Sequence, residues 1–385
     1  MKTRNDYDVI VVGGGVAGIA AALSANRAGA RTLLIESMYM LGGLATAGLV
    51  TIYLPLCDGV GKQLSYGISE ELLRLSIQYG AENEYPAAWL QNGNDEKRMQ
   101  YRYRTQYNPQ VFAILTEKLL VSEGVEILYG ATLSGVKMDN NKIVEIMVST
   151  RTANLVFTAK SFVDCTGDAT LCDYAGELTA LSEKENVLAS WYYETSNGEY
   201  CLRQCGSSDY VYSNIKTKDT FVGLDARELS ALTIRSHDSV LRNYLQNGGV
   251  SKKHSLSTIS TIPQVRMTRR LCGVVEIKKE DNKRVLNDSV GLFGSWIERG
   301  YAFELPIGAL YGRKVSNLTV AGRCISVENT DMWDITRVIP VCAQSGEAAG
   351  VIAAIYDDNN KIKVRNVQKI LAARGVKLHL SEVYK

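Results

Sequence analysis

The sequence predicts an α/β fold in which a parallel β-sheet carries a β-meander and an inserted α+β domain. Three observations lead to this prediction. Residues 9–12 form an apolar, β-branched run that is followed by glycines, an Ala-rich helical stretch and a second apolar run, the pattern of a β-α-β unit. Residues 125–164 contain three β-rich runs with a tight-turn signal. Residues 178–300 then depart from this alternation.

The glycines after the first predicted strand have the spacing of a phosphate-binding turn. Gly13, Gly15 and Gly18 form the pattern GxGxxG. In such a turn the first glycine permits the tight bend, the second lets the backbone approach a pyrophosphate, and the third lets the helix pack closely on the strand. Val16 and Ala17 open the helix, whose N-terminal amides and dipole favour a diphosphate.

The second half of this unit completes a predicted dinucleotide site. Gly29 ends the helix, and residues 31–35 form the next strand. Glu36 follows about 20 residues beyond the glycines, where a carboxylate binds the ribose hydroxyls. A signal peptide explains the stretch less well, because Asp6 and Asp8 lie in what would be its basic region. The remaining alternative is a core β-α-β unit that binds no ligand.

Length and composition indicate the class of protein. A chain of 385 residues, 46% hydrophobic and 22% charged, has enough core for two or three globular domains. The net charge of +2 disfavours nucleic acid as a partner, and we expect a cytoplasmic protein that does not bind a membrane. Eight cysteines, most of them in apolar runs, indicate reduced thiols, and with three histidines we expect no metal site.

The loop after Glu36 distinguishes between the dinucleotides. It reads SMYMLGGLATAGLV and contains Gly42, Gly43 and Thr46. In this the chain resembles the glutathione-reductase-like FAD flavoproteins, in which a glycine pair after the acid brings the chain back over the cofactor. Glycine allows the close approach, and amides with a threonine hydroxyl suit a phosphate or the flavin edge. The resemblance implies a Rossmann-like FAD-binding domain.

Two later segments extend the resemblance. The run KSFVDCTGDATLCDYAG resembles the strand that ends beneath the AMP half of FAD, which assigns Thr166, Gly167 and Asp168 to the cofactor site. The run NLTVAGRCIS resembles the strand whose end contacts the pyrophosphate and ribitol, which assigns Gly322 and Arg323. Together the segments resemble the FAD-dependent oxidoreductase family that is related to the fumarate reductase and aspartate oxidase flavoproteins.

The family resemblance also implies where the flavin ring lies. A small-residue helix from about Ser345, with Gly346 near its start, would direct its N-terminus at flavin N1 and the C2 carbonyl and stabilise an anionic reduced flavin. No histidine stands near the glycine pair, and Cys57 lies in a predicted loop, so we expect FAD to be bound non-covalently.

Arginines are the candidate catalytic residues, because their planar guanidinium can hold a carboxylate or an enolate. The family places the segment IPQVRMTRRLCG near the active site, which singles out Arg266, Arg269 and Arg270. Arg337 precedes the helix that would face the flavin. For each of them the alternative is an ordinary ion pair with an acidic residue.

Local signals predict the order of elements and a division into segments. We expect a helix over residues 65–79, a second opened by Asn108 and Pro109, and a third opened by a capping box of Asp225 and Glu228. The predicted segments are 1–80 (FAD-binding, first part), 81–107 (irregular excursion on the substrate side), 108–177 (FAD-binding), 178–300 (substrate or cap domain), 301–356 (FAD-binding return) and 357–385 (helical tail).

The predicted function is that of an FAD-dependent oxidoreductase. It would transfer a hydride between flavin N5 and a small organic substrate, either oxidising an alcohol or amine or reducing an activated double bond. The chain has no second GxGxxG after a strand, so electrons would come from or go to an external partner. The alternatives are a flavin-dependent RNA-modifying protein, a thiazole-synthase-like protein, and a non-catalytic FAD-binding component of a redox complex.

Overall fold

The computed structural model describes residues 5–91, 93–206, 220–357 and 362–384. The strands in these ranges are β1 Asp6–Val12, β2 Thr32–Ile35, β3 Ile52–Tyr53, β4 Thr105–Gln106, β5 Glu126–Leu128, β6 Thr132–Asp139, β7 Lys142–Ser149, β8 Asn154–Asp164, β9 Thr179–Leu181, β10 Asn186–Val187, β11 Ala189–Ser196, β12 Glu199–Gly206, β13 Thr220–Phe221, β14 His254–Ile259, β15 Arg269–Leu271, β16 Ser289–Gly294, β17 Ala302–Pro306 and β18 Leu318–Val320. The helices are α1 Val16–Arg27, α2 Ile68–Ser76, α3 Ala87–Leu90, α4 Asp95–Gln100, α5 Pro109–Ser122, α6 Thr170–Tyr174, α7 Ala226–Gln246, α8 Thr330–Thr336, α9 Ile339–Ala354 and α10 Val364–Ala373.

The main sheet combines a parallel part with an antiparallel meander. The strands β5, β2, β1 and β8 are parallel neighbours in that order, and β18 pairs in parallel with the last residues of β8. The first residues of β8 instead pair antiparallel with β7, which pairs with β6. This arrangement confirms the predicted α/β fold class with its parallel sheet and β-meander.

The parallel strands are buried on both faces, as their continuous apolar runs predict. In β1, Ile10 and Val12 belong to one hydrophobic core, whereas Val9 and Val11 belong to a second core on the other face. The second core also contains the alanines of α1 and, from α9, Ala343, Ala349 and Ala353. The two helices pack against each other. The helix α9 therefore joins the C-terminal part of the chain to the first β-α-β unit.

Two of the predicted helix ends are confirmed by their capping geometry. Gly29 follows α1 in the left-handed region with φ +89°, as the predicted stop requires. Asn108 caps α5, its side chain accepting hydrogen bonds from the amides of Gln110 and Val111.

The capping box predicted for α7 is only half correct. Asp225 accepts from the amides of Arg227 and Glu228, but the Glu228 carboxylate reaches back to the amides of Val222 and Gly223 instead. Asp225 thus caps the first turn of α7, whereas Glu228 fixes the chain just before the helix.

The predicted start of the flavin-facing helix is wrong. We expected the helix to begin near Ser345, but α9 begins at Ile339. Pro340 lies in its first turn, where a proline costs no intrahelical hydrogen bond, and Val338 is its N-cap. The small residues that suggested the start are instead in the middle of the helix, where they allow close packing.

The segment between β9 and β16 forms small antiparallel sheets with α7 packed on one of them. The sheet order β12-β11-β14 buries Tyr192 against Tyr244 of α7. The hairpin of β16 and β17 spans residue 300, the predicted boundary between two segments. The division of the chain into segments stays a prediction. Within the described ranges, no helix combines the length and the apolarity needed to cross a bilayer.

Candidate functional site

Two adjoining cavities lie at the carboxyl ends of the parallel strands. The first cavity, of about 460 Å³, is lined where β1, β2, β8 and β18 end and where α1 and α9 begin. Ligands of open α/β sheets bind at this edge because strand ends and helix N-termini meet there. The second cavity, of about 1020 Å³, lies between the first and the segment that follows β9.

Gly13 and Gly18 are required by packing, whereas Gly15 leaves space for a ligand. A β-carbon on Gly13 would lie 2.4 Å from the carbonyl oxygen of Cys165, and one on Gly18 would lie 1.8 Å from the carbonyl oxygen of Gly13. A β-carbon on Gly15 would meet no described atom within 4 Å, and Gly15 lines the first cavity. The three glycines thus have the geometry that their spacing predicts.

The N-terminus of α1 faces the first cavity. Gly15 is the N-cap and offers no side chain, and Val16 and Ala17 line the cavity wall. The first amides of an α-helix have no partner within the helix and carry its positive dipole end. This end of α1 therefore suits the phosphates of a dinucleotide.

Glu36 lies at the end of β2 and also lines the first cavity. Its Oε2 accepts from the amide of Gly14 at 2.7 Å, and its Oε1 accepts from the amide of Met38 at 2.7 Å and from the Ser37 hydroxyl at 3.0 Å. These bonds fix a nearly buried carboxylate beside the glycine turn. Oε2 accepts only one of these bonds, so its second lone pair can accept from a ribose hydroxyl.

The loop of Gly42 and Gly43 returns to the glycine turn as expected. The Gly42 amide donates to the Gly14 carbonyl oxygen at 2.8 Å, and both loop glycines have positive φ, +102° and +55°. A β-carbon on Gly43 would approach the Gly15 Cα to 3.2 Å. Only glycine combines this backbone conformation with such a close approach.

Thr46 does not fit its predicted role. Its side chain is buried, and its hydroxyl donates to the carbonyl oxygen of Leu41 at 2.5 Å. Thr46 is not among the described residues that line the first cavity. The hydroxyl stabilises the loop from within, so the expectation that it meets phosphate or flavin is corrected.

The ends of β8 and β18 form one wall of the first cavity. The predicted residues that line it there are Thr166, Gly167, Asp168, Gly322 and Arg323. The guanidinium of Arg323 lies against Gly167, where a β-carbon would come within 2.3 Å of Nη2. The same nitrogen lies 3.6 Å from Oδ1 of Asp168. Two distant segments of the sequence therefore form one wall, as the family resemblance implies.

Gly346 has a packing role instead of the predicted contact with the cofactor. A β-carbon at Gly346 would lie 2.3 Å from the carbonyl oxygen of Ala17, in the facing helix α1. Gly346 is not among the residues described as lining either cavity. It is Ile339, at the N-terminus of α9, that lines both cavities. The correction follows from the earlier start of α9.

The four predicted catalytic arginines divide into two pairs. Arg266 lines the second cavity and Arg337 lines both cavities. Arg269 pairs with Asp173 at 2.6 Å, and the buried Arg270 donates to the carbonyl oxygen of Glu328 at 3.0 Å.

Arg269 and Arg270 are not among the described residues that line either cavity. The alternative of an ordinary structural contact is therefore correct for these two. Strand β15 pairs with β9. Arg269 extends to Asp173 of α6 and donates through Nε to the carbonyl oxygen of Asp168 at 3.0 Å, whereas Arg270 extends to the loop after β18.

The first and second cavities share one part of their walls. Both cavities are lined by Leu44, Ala45, Arg323, Arg337 and Ile339. Arg337 forms an ion pair with Asp334, and its buried Nε has no hydrogen-bond partner within the described ranges. A buried donor without a partner costs stability unless a ligand accepts from it.

Several residues of the second cavity were missed from the sequence. The rings of Trp191 and Trp296 line it, and so do Arg102 and Arg104 from the excursion before α5. The guanidinium of Arg266 lies 5.4 Å from the centre of the Trp191 ring. The excursion itself was predicted to lie on the substrate side. The alternation of Arg102 and Arg104 with Tyr103 and Thr105 is a signal that could have singled out these two arginines.

The residues of the first cavity fit FAD. Open space at Gly15, the uncapped N-terminus of α1 and the carboxylate of Glu36 suit its phosphates and ribose. The N-terminus of α9, which has no side-chain cap, suits the electron-rich edge of a flavin. No group of three or more potential metal ligands occurs in the part of the chain that the structure describes.

Comparison with known proteins assigns the family. The family model of FAD-dependent oxidoreductases matches residues 8–187 and 179–371, almost the whole chain. The chain belongs to the FAD-dependent oxidoreductase family. This confirms the predicted cofactor, FAD, and the predicted enzyme class, an FAD-dependent oxidoreductase.

Curated relatives resemble parts of this FAD-dependent oxidoreductase. A thioredoxin reductase of Ureaplasma parvum is 30% identical over 31% of the chain and 35% of its own length. The tRNA uridine 5-carboxymethylaminomethyl modification enzyme of Streptococcus agalactiae is 28% identical over 48% of the chain and 28% of its own length. The oxidoreductase thus spans about a third of the length of the curated relatives it matches.

Solved structures resemble the FAD-dependent oxidoreductase over most of its length at low identity. A geranylgeranyl bacteriochlorophyll reductase-like protein from Thermoplasma acidophilum is 17% identical, with a TM-score of 0.49, over 96% of this chain and 83% of that one. A p-nitrophenol 4-monooxygenase from Pseudomonas putida is 11% identical, with a TM-score of 0.47, over 96% of this chain and 98% of that one.

Proposed function

We propose that this enzyme binds FAD non-covalently in the first cavity and transfers a hydride between the flavin and a small organic substrate in the second. The shared wall of the two cavities, formed by Leu44, Ala45, Arg323, Arg337 and Ile339, is the observation that carries this proposal. A cofactor in one cavity and a substrate in the other would meet at that wall. When bound, FAD supplies hydride exchange at its N5 atom.

Different residues of the first cavity would bind different parts of FAD. Glu36 would accept hydrogen bonds from the ribose, as its position at the end of β2 supports. The amides of Val16 and Ala17 would donate to the pyrophosphate above Gly15. Arg323 would add a positive charge beside it, because its guanidinium lies in the cavity wall.

Arg337 and the start of α9 would set the electrostatics near the redox-active end. Both lie at the shared wall, and both favour negative charge on whatever binds there. Arg337 is held by Asp334 and keeps its buried Nε without a partner in the described structure. A guanidinium fixed in this way can donate to a developing anion without reorganising.

The second cavity would position the substrate and exclude water from it. Leu44, Val50 and Ile52 give it an apolar side, and Trp191 and Trp296 add flat aromatic surface. Such a mixture, apolar walls with a few charged groups, is typical of small-molecule sites. The volume of about 1020 Å³ accommodates a substrate larger than a single small ring.

The test begins with the visible absorption spectrum of the purified protein. We expect a flavin spectrum, and acid precipitation should release intact FAD into the supernatant, as non-covalent binding requires. Anaerobic addition of alcohols, amines and reduced organic acids should then identify compounds that bleach the flavin. The reverse direction is tested by photoreducing the flavin and adding activated alkenes.

Two results would contradict the proposal. A protein that stays colourless after incubation with FAD would overturn the assignment of the first cavity. A protein that binds FAD, but whose flavin neither bleaches with any donor nor recovers its colour with any organic acceptor, would overturn hydride transfer while leaving FAD binding intact.

A further inference from the structure

The excursion before α5 contributes a cation to the second cavity. Residues 102–105 alternate in burial: Tyr103 and Thr105 are almost completely buried, whereas Arg102 and Arg104 are half-buried and line the cavity. Alternation of this kind is the geometry of an extended chain, in which successive side chains point to opposite sides. Arg102 and Arg104 thus lie on the cavity side of this segment.

Arg102 differs in its partners from five of the other cations that line the second cavity. Its Nη1 donates to the main-chain carbonyl oxygen of Trp296, and within the described ranges it has no carboxylate partner. Five other cations of the same cavity each have a carboxylate, the pairs being Arg104–Glu84, Lys184–Asp331, Lys279–Glu298, Arg323–Asp168 and Arg337–Asp334. Within the described part of the chain, Arg102 is therefore a half-buried charge whose hydrogen-bond acceptor is a neutral carbonyl group.

The surroundings of Arg102 increase the energetic cost of its charge. Burial lowers the pKa of Arg102, and the neighbouring Arg299 and Arg104 lower it further. Arg299 itself donates to the carbonyl oxygens of Gly59 and Met99. A half-buried cation beside other cations is unfavourable by itself and becomes favourable when an anion binds to it.

We propose that Arg102 binds a carboxylate of the substrate, so that the enzyme acts on an organic acid. This inference rests on the proposed function, because it assigns the substrate to the second cavity. A guanidinium with free N–H groups in one plane matches the two oxygens of a carboxylate. A phosphate dianion fits less well, because Glu298, Asp331 and Asp334 line the same cavity.

The contacts of Trp296 connect this carboxylate subsite to the shared wall. Trp296 accepts from Arg102 through its carbonyl oxygen and donates through Nε1 to the carbonyl oxygen of Asp334 at 2.9 Å. Asp334 in turn pairs with Arg337, which lines both cavities. The substrate would carry its carboxylate at Arg102 and its reacting carbon toward Arg337.

The test measures binding to the oxidised holoenzyme. The probes are three carboxylates paired with their neutral amides: propionate with propionamide, benzoate with benzamide, and indole-3-acetate with indole-3-acetamide. The readouts are the perturbation of the visible flavin spectrum and the quenching of tryptophan fluorescence. We expect at least one carboxylate to bind at least about 10-fold more tightly than its amide, since a hydrogen bond to a charged group contributes about 1.5–3 kcal/mol.

Three variants test the role of Arg102. Arg102→Gln keeps a donor for the Trp296 carbonyl but removes the charge, and should weaken carboxylate binding about 10- to 100-fold. Arg102→Lys should retain part of the preference. Arg313→Gln is the matched control, because Arg313 also donates to a carbonyl oxygen, that of Val274, at the surface. It should bind like the wild type.

The outcomes separate this inference from the proposed function. FAD content and flavin bleaching are measured on the same preparations, so a protein without FAD fails the proposed function first. If FAD is bound but no carboxylate binds better than its amide, the inference is overturned. It is equally overturned if Arg102→Gln, with its FAD retained, binds carboxylates as tightly as the wild type does.

Discussion

Gly346 of α9 and Ala17 of α1 are in direct backbone contact: a β-carbon at Gly346 would lie 2.3 Å from the Ala17 carbonyl oxygen. Gly350, one turn further along, makes the same close approach to Ala21. The two glycines let α9 lie directly on the helix that begins at the glycine turn. The position of α1 in the first cavity therefore depends on α9.

Gly346→Ala should destabilise the protein and impair FAD binding at the same time. The added β-carbon would meet the backbone of α1, so the two helices must move apart. We expect this to cost about 1–3 kcal/mol of stability. Thermal unfolding of the protein stripped of FAD measures the stability, and the absorbance ratio of flavin to protein measures cofactor content. A variant with unchanged melting temperature would contradict this packing role.

Gly15→Ala should impair FAD binding without destabilising the protein. Gly15 has φ −65°, which any residue can adopt, and a β-carbon there meets no described atom within 4 Å. The melting temperature of the FAD-free protein should therefore stay close to that of the wild type. Affinity for FAD should fall at least about 10-fold, because the methyl group occupies the space through which the pyrophosphate approaches. Gly13→Ala is the contrasting variant, since it should lose stability as well.

Arg337→Gln should lower turnover with the identified substrate by about 100-fold, the loss typical of removing one donor to a developing negative charge. FAD content should remain near that of the wild type. Arg269→Gln is the informative comparison, because Arg269 has the same charge but pairs with Asp173 and is not among the described residues that line either cavity. An equal loss of turnover in both variants would contradict the separation of these two arginines.

Glu347 should make the stability of the protein depend on pH. Its carboxyl lies among α1, α2 and α9; Oε2 accepts from the Ile68 amide at 2.8 Å, and Oε1 is buried with no described partner. Burial raises the pKa of Glu347 to about 7. Between the ordinary pKa of 4.5 and about 7 only the folded state holds the proton, so stability falls as pH rises through this range.

Glu347→Gln should remove that pH dependence. Above pH 7 the variant should be more stable than the wild type by up to about 3 kcal/mol, whereas at pH 4.5 the two should be similar. Denaturant unfolding at pH 5 and pH 8 measures both values. Glu96→Gln, at an exposed position in α4, is the control and should change neither. A wild-type protein that is equally stable at both pH values would contradict the shift.

The sequence predicted those features that depend on neighbours along the chain. The turn of Gly13, Gly15 and Gly18 and the capping of α5 by Asn108 each follow from a few consecutive residues and their backbone geometry. In each of them the residue type is required by a local conformation or by a helix end. The structure therefore confirms them with little change.

Features that depend on contacts between distant segments were predicted less well. The small residues around Gly346 indicated a helix start, but they are small because α1 lies against them. Arg270 suggested substrate binding, but pairing of its strand with β9 turns its side chain to the Glu328 carbonyl oxygen. Residue type alone does not distinguish these roles, because the direction of a side chain is decided by its partner strand or helix.

The pairing of α1 with α9 also limits when the enzyme can acquire its cofactor during synthesis. The Ser24 hydroxyl in α1 donates to the Glu347 carbonyl oxygen, a contact between residues 323 positions apart. On the ribosome, the phosphate-binding turn emerges first but has no second helix to lie on until residues 339–354 have followed it. Such distant pairing makes folding slow and leaves apolar surface exposed meanwhile. A nascent chain stalled before Ile339 should therefore fail to retain FAD, and FAD would join this enzyme only after α9 has been synthesised.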